Sequence, residues 1–163
     1  FYLFAMIDGV CRPDVFIVLW IEEYFPLDDK EKTDFFKGLR SFADSNFVLK
    51  LFFEGSESLF ETIKSQFPGL HDLPVERREG LLEERILYDL LYSEESATHL
   101  ILLGDKKHFE ELIQELSPLH VKISLITREF EEHYRVDDIT YHNIHSFETM
   151  TSHPHNWWYY QAK

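Results

Sequence analysis

The stretch 98–127, with the sequence THLILLGDKKHFEELIQELSPLHVKISLIT, constrains the fold more than any other part of the chain. Residues 100–103 are consecutive apolar side chains, which is typical of a strand buried on both faces. A stripe at i, i+3, i+4 and i+7 then predicts a helix with one apolar face, formed by Phe109, Leu112, Ile113 and Leu116. A second strand at 121–126 completes a βαβ unit. Asp105 therefore follows the carboxyl end of a parallel strand, where open α/β sheets form their ligand crevice.

The same alternation of strands and helices continues through the rest of the chain. We predict further strands at 1–7, 15–21, 47–53, 73–75 and 139–144, and further helices at 29–44, 57–67, 80–92 and 129–135. This order predicts an α/β fold, a Rossmann-like three-layer sandwich. Its mostly parallel central sheet has about five or six strands and carries helices on both faces.

Two features of the early part of the chain leave alternatives open. Residues 15–21 form an apolar run without a helical period, which favours a buried central strand. A buried helix over 13–25, with Pro13 in its first turn, is the competing interpretation. For the helix at 29–44, either Asp28 or Asp29 is the predicted cap.

The charge of the chain bears on its partners. The 163 residues include 16 Lys and Arg against 30 Asp and Glu, a formal net charge of −14. Proteins that bind nucleic acid by themselves usually present a basic face, because phosphate contacts supply most of the affinity. The composition therefore favours a basic protein partner, or a metal ion that neutralises clustered carboxylates, over strong binding of RNA by this chain alone.

Other features bear on location and on the boundaries of the chain. No apolar run approaches the roughly 20 residues that cross a membrane. The single cysteine, Cys11, suits a reducing compartment, so we expect a cytoplasmic or nuclear protein. Because the chain begins at Phe1, we expect it to be part of a longer protein with flanking domains. We divide it into a domain at 1–146 and an aromatic tail at 147–163, whose Trp-Trp-Tyr-Tyr run at 157–160 is an apolar handle for packing or for a protein partner.

The order of elements, with GDKKHFEELIQEL after the fourth core strand, resembles the NYN domains of the PIN-like nuclease superfamily over about residues 1–145. In active members of that family, acids after the first strand, on the third helix and after the fourth strand hold a divalent metal ion that activates water to cut RNA. The resemblance therefore implies a protein of RNA metabolism, with Mg²⁺ or Mn²⁺ as the cofactor if the domain is active.

The match after the fourth strand is partial. Gly104, Asp105 and Phe109 fit the S-G-D-x-D-F pattern of the family, but one extra residue separates Asp105 from Phe109. The second acid of the pattern is missing, and Lys106, Lys107 and His108 stand in its place. The resemblance thus implies a metal site that has lost one of its carboxylates.

The other acids that the resemblance implies are less uniquely aligned. Glu83 keeps a six-residue spacing to Asp89 on the predicted third helix, with Glu in the first position where the family has Asp. For the first strand, Asp8 fits an I-D-G form, although Cys11 stands where Asn is expected. Alternatively, the run Leu19-Trp20-Ile21-Glu22-Glu23 resembles a W-D-I-E-N form, which brings Glu22 to this edge, places Ile21 at the Asp position and Tyr24 near that of the Asn.

The resemblance therefore implies a candidate catalytic set of Asp105, Glu83 and either Asp8 or Glu22, with Asp105, Glu83 and Asp8 as metal ligands. Glu54 also follows a predicted strand and lies near the same edge. Mg²⁺ needs several oxygen ligands, and such a group of carboxylates would repel itself without a cation. The competing interpretation is that acids after strands act as caps and turn formers.

Basic residues also follow the predicted strands: Arg12, Arg77, Arg78, Lys106, Lys107 and Arg128. We predict Lys106, Lys107, Arg77 and Arg78 as weak contacts to RNA phosphates, or alternatively as partners of neighbouring acids. Two functional hypotheses follow. The first is a degenerate nuclease domain that acts as an interaction or scaffold module, and the second is an active metal-dependent endoribonuclease that cuts single-stranded RNA.

Overall fold

One central sheet organises the computed structural model, which describes residues 14–67, 73–83, 97–119, 121–128, 134–136 and 139–145. Its strands are β1 (Val15–Ile21), β2 (Phe47–Glu54), β3 (Val75–Arg77), β4 (His99–Leu103), β5 (Lys122–Thr127), β6 (Tyr134–Val136) and β7 (Ile139–Asn143). The α-helices in this part of the chain are α1 (Asp29–Ser45), α2 (Glu57–Gln66) and α3 (Glu110–Leu116), with short 3₁₀ turns at Lys106–His108 and Ser117–Leu119.

The strand order is β3-β2-β1-β4-β5-β7-β6. All neighbours pair in parallel except β6, which pairs antiparallel with β7 at the sheet edge. The six parallel strands thus follow the order of a doubly wound fold, in which the direction of winding reverses between β1 and β4. The predicted Rossmann-like α/β fold with a mostly parallel sheet is confirmed.

Helices cover both faces of the sheet, as predicted. Apolar residues of α1 and α2 pack on one face, and those of α3 pack on the other. This division follows from topology, because the chain winds from β1 to β2 in one direction and from β4 to β5 in the other. The connections between parallel strands share one handedness. Two connections that run in opposite directions across the sheet therefore place their helices on opposite faces.

The strand interpretation of the early apolar run is confirmed, since β1 is a central strand with all seven residues buried. Its side chains alternate between the two cores, with Phe16, Val18 and Trp20 on the α1 side and Ile17 and Leu19 on the α3 side. Each fully buried side chain of this size contributes roughly 1.5–3 kcal/mol. An unbroken apolar run is therefore what a strand in the middle of a three-layer fold requires.

Asp28, and not Asp29, caps α1. Its carboxylate accepts a hydrogen bond from the Glu31 N–H at 2.8 Å, and the Glu31 carboxylate accepts one from the Asp28 N–H at 3.0 Å. This reciprocal capping box satisfies two donors that the first turn of a helix leaves open.

Three predicted elements are wrong in position or type. The helix predicted at 80–92 does not begin at Gly80, because 81–83 form a turn that the Glu83 N–H closes on the Gly80 carbonyl. The helix predicted at 129–135 is contradicted at its end, because Tyr134–Val136 is a strand, while 129–133 lie outside the described residues. Pairing with β7 supplies the backbone partners of this strand, so a tertiary contact overrides the local pattern. The strand predicted at 73–75 begins two residues later, at Val75.

Several predictions fall outside the described residues. These are the strand at 1–7, most of the helix at 80–92, and the aromatic tail at 147–163. Within the described ranges, no helix has the length and the apolar character that crossing a bilayer requires.

Candidate functional site

The carboxyl ends of the six parallel strands share one edge of the sheet, and the reversal between β1 and β4 places a crevice there. The segment after β1, residues 22–28, and the segment after β4, residues 104–109, form its two sides. Asp105 lies at this edge, as the sequence predicts.

Tight local contacts hold the segment after β1. The indole Nε1 of buried Trp20 donates to the Phe25 carbonyl at 2.9 Å. The N–H groups of Tyr24 and Phe25 both donate to the Ile21 carbonyl at 3.1 Å. The chain therefore turns sharply at the end of β1 and runs back towards the start of α1.

The acids that end β1 and β2 are acceptors for backbone N–H groups. The Oε1 atom of Glu22 accepts from the Ser56 N–H at 2.9 Å, next to the start of α2. The Oε1 atom of Glu54 accepts from the Leu81 N–H at 2.8 Å. These contacts fit the interpretation of acidic strand ends as turn formers, because each carboxylate holds a loop in place.

Asp105 follows a glycine that the local geometry requires. Gly104 has φ +144°, and a Cβ atom there would lie 2.8 Å from the Phe109 ring. The Gly104 N–H donates to the Ile126 carbonyl at 2.9 Å, and the Asp105 carbonyl accepts from the His108 N–H at 3.0 Å. The Asp105 side chain does not cap the 3₁₀ turn that follows.

An aromatic pair bridges the two sides of the crevice. The rings of Tyr24 and His108 stack with centroids 4.8 Å apart and planes 2° from parallel. They line a cleft of about 550 Å³ that Leu82, Lys107 and Leu112 also line. His108, directly before Phe109, thus supplies a ring that packs on Tyr24.

Arg128, which directly follows β5, contacts three residues at this edge. Its guanidinium forms a two-pronged ion pair with Glu31, with Nη2 to Oε1 at 3.0 Å. It also donates to the Pro26 carbonyl and lies over the Phe25 ring, 4.1 Å from the centroid. Forked Arg–carboxylate pairs combine charge with a fixed geometry, so Arg128 binds the β1–α1 segment to the end of β5.

The positive charge of Arg128 interacts with several acids at this edge, including Asp105. The hydrogen bond from Arg128 lowers the pKa of the Glu31 carboxyl, and the contact with Asp28 lowers it further against the opposing effect of burial. The hydrogen bond to Glu31 raises the pKa of Arg128, and the charges of Asp105 and Asp28 add to that rise. A cation is therefore already present beside the acids of this edge.

The predicted phosphate contacts divide into two groups. Lys106 and Lys107 are exposed, and neither forms an ion pair among the described residues. Arg77 donates through Nε to the Gly55 carbonyl at 2.9 Å, and Arg78 pairs with Glu76. Because β3 and β4 are three strand positions apart, the two groups lie about 14 Å apart across the sheet.

The remaining predicted metal ligands are Glu83 and Asp8, and no contact within the described residues supports either of them as a ligand. Glu83 is exposed, and its carboxylate lies against Gly80 in the turn that precedes the undescribed segment 84–96. Asp8 lies outside the described residues. Within the described ranges, no three side chains of His, Cys, Asp or Glu form a group that could hold a metal ion.

These observations test whether the described residues fit Mg²⁺ or Mn²⁺. Such ions need near-ideal octahedral coordination by oxygen ligands. Glu22 and Glu54 each give one oxygen to a backbone N–H, and a guanidinium lies near Asp105. The described residues therefore do not fit the ion.

The sequence indicated part of this arrangement. The spacing Asp28-x-x-Glu31 is typical of a capping box, so it indicates that a helix begins at these two acids. The position of Arg128 after a strand predicts its place at the crevice edge. No signal in the sequence predicts the ion pair between Glu31 and Arg128, or the stacking of Tyr24 on His108.

Comparisons of the chain with models of protein families, with curated proteins and with solved structures found no match.

Proposed function

We propose that this chain is a domain of NYN/PIN-like type in a cytoplasmic or nuclear protein of RNA metabolism, and that it acts as an interaction module and not as a nuclease. The observation that supports the proposal is the use of the crevice acids. Glu22 and Glu54 hold backbone N–H groups, and Arg128 pairs with Glu31 beside Asp105. Carboxylates used in this way stabilise the fold.

The charge of the chain supports a protein partner with basic side chains. The net charge is −14, and the acids of α3 that face solvent, Glu110, Glu111 and Glu115, form no ion pair within the described residues. Like charges at this density attract a partner of opposite charge and speed its association. The proposed partner is therefore a lysine- or arginine-rich protein surface.

We expect the chain to leave single-stranded RNA intact. A labelled single-stranded RNA is incubated with the wild-type chain, Asp105→Asn and the matched control Asp44→Asn, an exposed acid near the end of α1. With Mg²⁺ or Mn²⁺ present, product formation should equal that of a reaction without protein in all three cases. Cleavage by the wild type and by Asp44→Asn that is lost in Asp105→Asn would contradict the proposal.

The second candidate is an active endoribonuclease that depends on a divalent metal. Two observations favour it: Asp105 lies at the winding reversal of the sheet, and exposed Lys106 and Lys107 follow it directly. Lysines at this position are placed to contact phosphate groups of a bound strand. The cleavage experiment above separates the two functions, because only this one predicts a product that depends on Asp105.

A further inference from the structure

Arg128 and Asp105 occupy equivalent positions on neighbouring strands. Leu103 of β4 is the register partner of Ile126 of β5. Asp105 lies two residues beyond the first of these and Arg128 two residues beyond the second. The Gly104 N–H bonds to the Ile126 carbonyl at 2.9 Å, which extends the ladder past the last pair. The two strand ends therefore present an acid and a base side by side.

Among the described residues, the contacts of the guanidinium lie on one segment of chain. Glu31, the Pro26 carbonyl and the Phe25 ring belong to the connection between β1 and α1 or to the first turn of that helix. Glu31 is 5% exposed, and a buried carboxylate without a cation is strongly destabilising. Arg128 therefore compensates a charge that the fold has removed from water.

Three acids interact with this cation. Glu31 pairs with it directly, while Asp28 and Asp105 interact with it through their charges. We propose that Arg128 is the resident cation of this edge: its side chain pairs with Glu31, offsets part of the negative charge of Asp28 and Asp105, and binds the β1–α1 segment to the end of β5. This inference rests on the proposed function, since an arginine held among these acids weakens their attraction for a metal ion.

The shape of the side chain matters as well as its charge. A guanidinium donates to both carboxylate oxygens, donates to a carbonyl and stacks on a ring at the same time, whereas an ammonium group is a compact point charge. Arg128→Lys should therefore keep the positive charge and lose part of the attachment. This variant separates the two roles that the proposal assigns to one residue.

The test measures Mn²⁺ affinity by electron paramagnetic resonance and thermal stability in the same samples. In Arg128→Gln, we expect Tm to fall by about 10 °C and Mn²⁺ to bind at least about tenfold more tightly than in the wild type. Arg128→Lys should lower Tm without the gain in Mn²⁺ affinity. The control Arg40→Gln changes the net charge equally, and Arg40 contacts only Gln66 on α2, at 3.0 Å, among the described residues. It should match the wild type in Mn²⁺ binding.

A second pair of variants ties the effect to the named acids. Adding Asp105→Asn to Arg128→Gln should abolish the gain in Mn²⁺ affinity. If Arg128→Gln does not fold, Glu31→Gln with Arg128→Gln removes both members of the buried pair and leaves Asp28 and Asp105 to be tested. The proposal is overturned if the variant that lacks Arg128 binds Mn²⁺ no better than Arg40→Gln, or if the wild type already binds Mn²⁺ as tightly. RNA cleavage by the wild type would instead contradict the proposed function, so the two failures are distinct.

Discussion

His99 is the residue at which pH acts most directly on this fold. It begins β4, is 2% exposed, and its ring lies 4.5 Å from that of Phe16. Burial, with a smaller contribution from the charge of Lys122, lowers the pKa of the imidazole to about 3. Its Nδ1 atom lies 3.7 Å from Asp14. With the ring neutral at physiological pH, this contact is not an ion pair.

The sign of the pH effect follows from this depressed pKa. An unfolded histidine takes up a proton below about pH 6.5, whereas His99 in the folded chain does so only near pH 3. The unfolded state therefore binds more protons in this window, and stability falls as the pH decreases. At pH 5 the loss from this residue is about 2 kcal/mol.

We expect His99→Leu to weaken the dependence of unfolding free energy on pH between pH 5 and 6.5. Urea unfolding at several pH values measures this slope. Equal slopes for the wild type and His99→Leu would contradict the attribution of this pH dependence to His99.

At the scale of elements, the start of α1 joins helix capping to the crevice. Glu31 completes the capping box with Asp28 and also accepts the guanidinium of Arg128. One carboxylate thus satisfies the first turn of the helix and pairs with the end of β5. Damage to the cap should therefore also disturb the β1–α1 segment that forms one side of the crevice.

We expect Asp28→Ala to destabilise the chain by about 1 kcal/mol, since the helix loses its N-cap acceptor. Asp29→Ala is the matched control, because this neighbouring acid lies inside the first turn and contributes only through the helix dipole, with an effect of about 0.3–0.5 kcal/mol. Chemical denaturation of both variants measures the difference. A larger loss of stability in Asp29→Ala than in Asp28→Ala would contradict the assignment of Asp28 as the N-cap.

At the scale of the whole molecule, charge sets what the surface can bind. The net charge of −14 opposes the approach of RNA, while Lys106 and Lys107 are exposed beside the crevice. Two lysines on an acidic domain supply only a small part of the phosphate contacts that tight binding needs. Any RNA affinity of this chain should therefore be weak and sensitive to salt.

We expect Lys106→Ala with Lys107→Ala to weaken RNA binding and to reduce the salt slope. If both lysines contact phosphates of a single strand, the slope of log K against log salt should decrease by about 1.4. Fluorescence anisotropy at several salt concentrations measures it, with Lys30→Ala and Lys37→Ala on α1 as a control of equal charge. An unchanged slope would remove these lysines from the RNA interface.

The α/β class, the placement of β1, β2, β4 and β5, and the position of Asp105 at the carboxyl edge all followed from local apolar patterns. Those patterns are reliable here because a strand buried on both faces must be apolar along its length, as residues 15–21 are. The local pattern predicted a helix at 129–135, but pairing with β7 makes 134–136 a strand.

The amino-acid sequence by itself therefore determined most of the described strands and helices, and which acids and bases follow the strands. Only the tertiary structure decided what those side chains do. Glu31 and Arg128 are 97 residues apart along the chain, and they meet because α1 and the end of β5 lie together at one edge. Burial follows from each segment's own composition, but the partner of a charge depends on which distant segment the fold brings beside it.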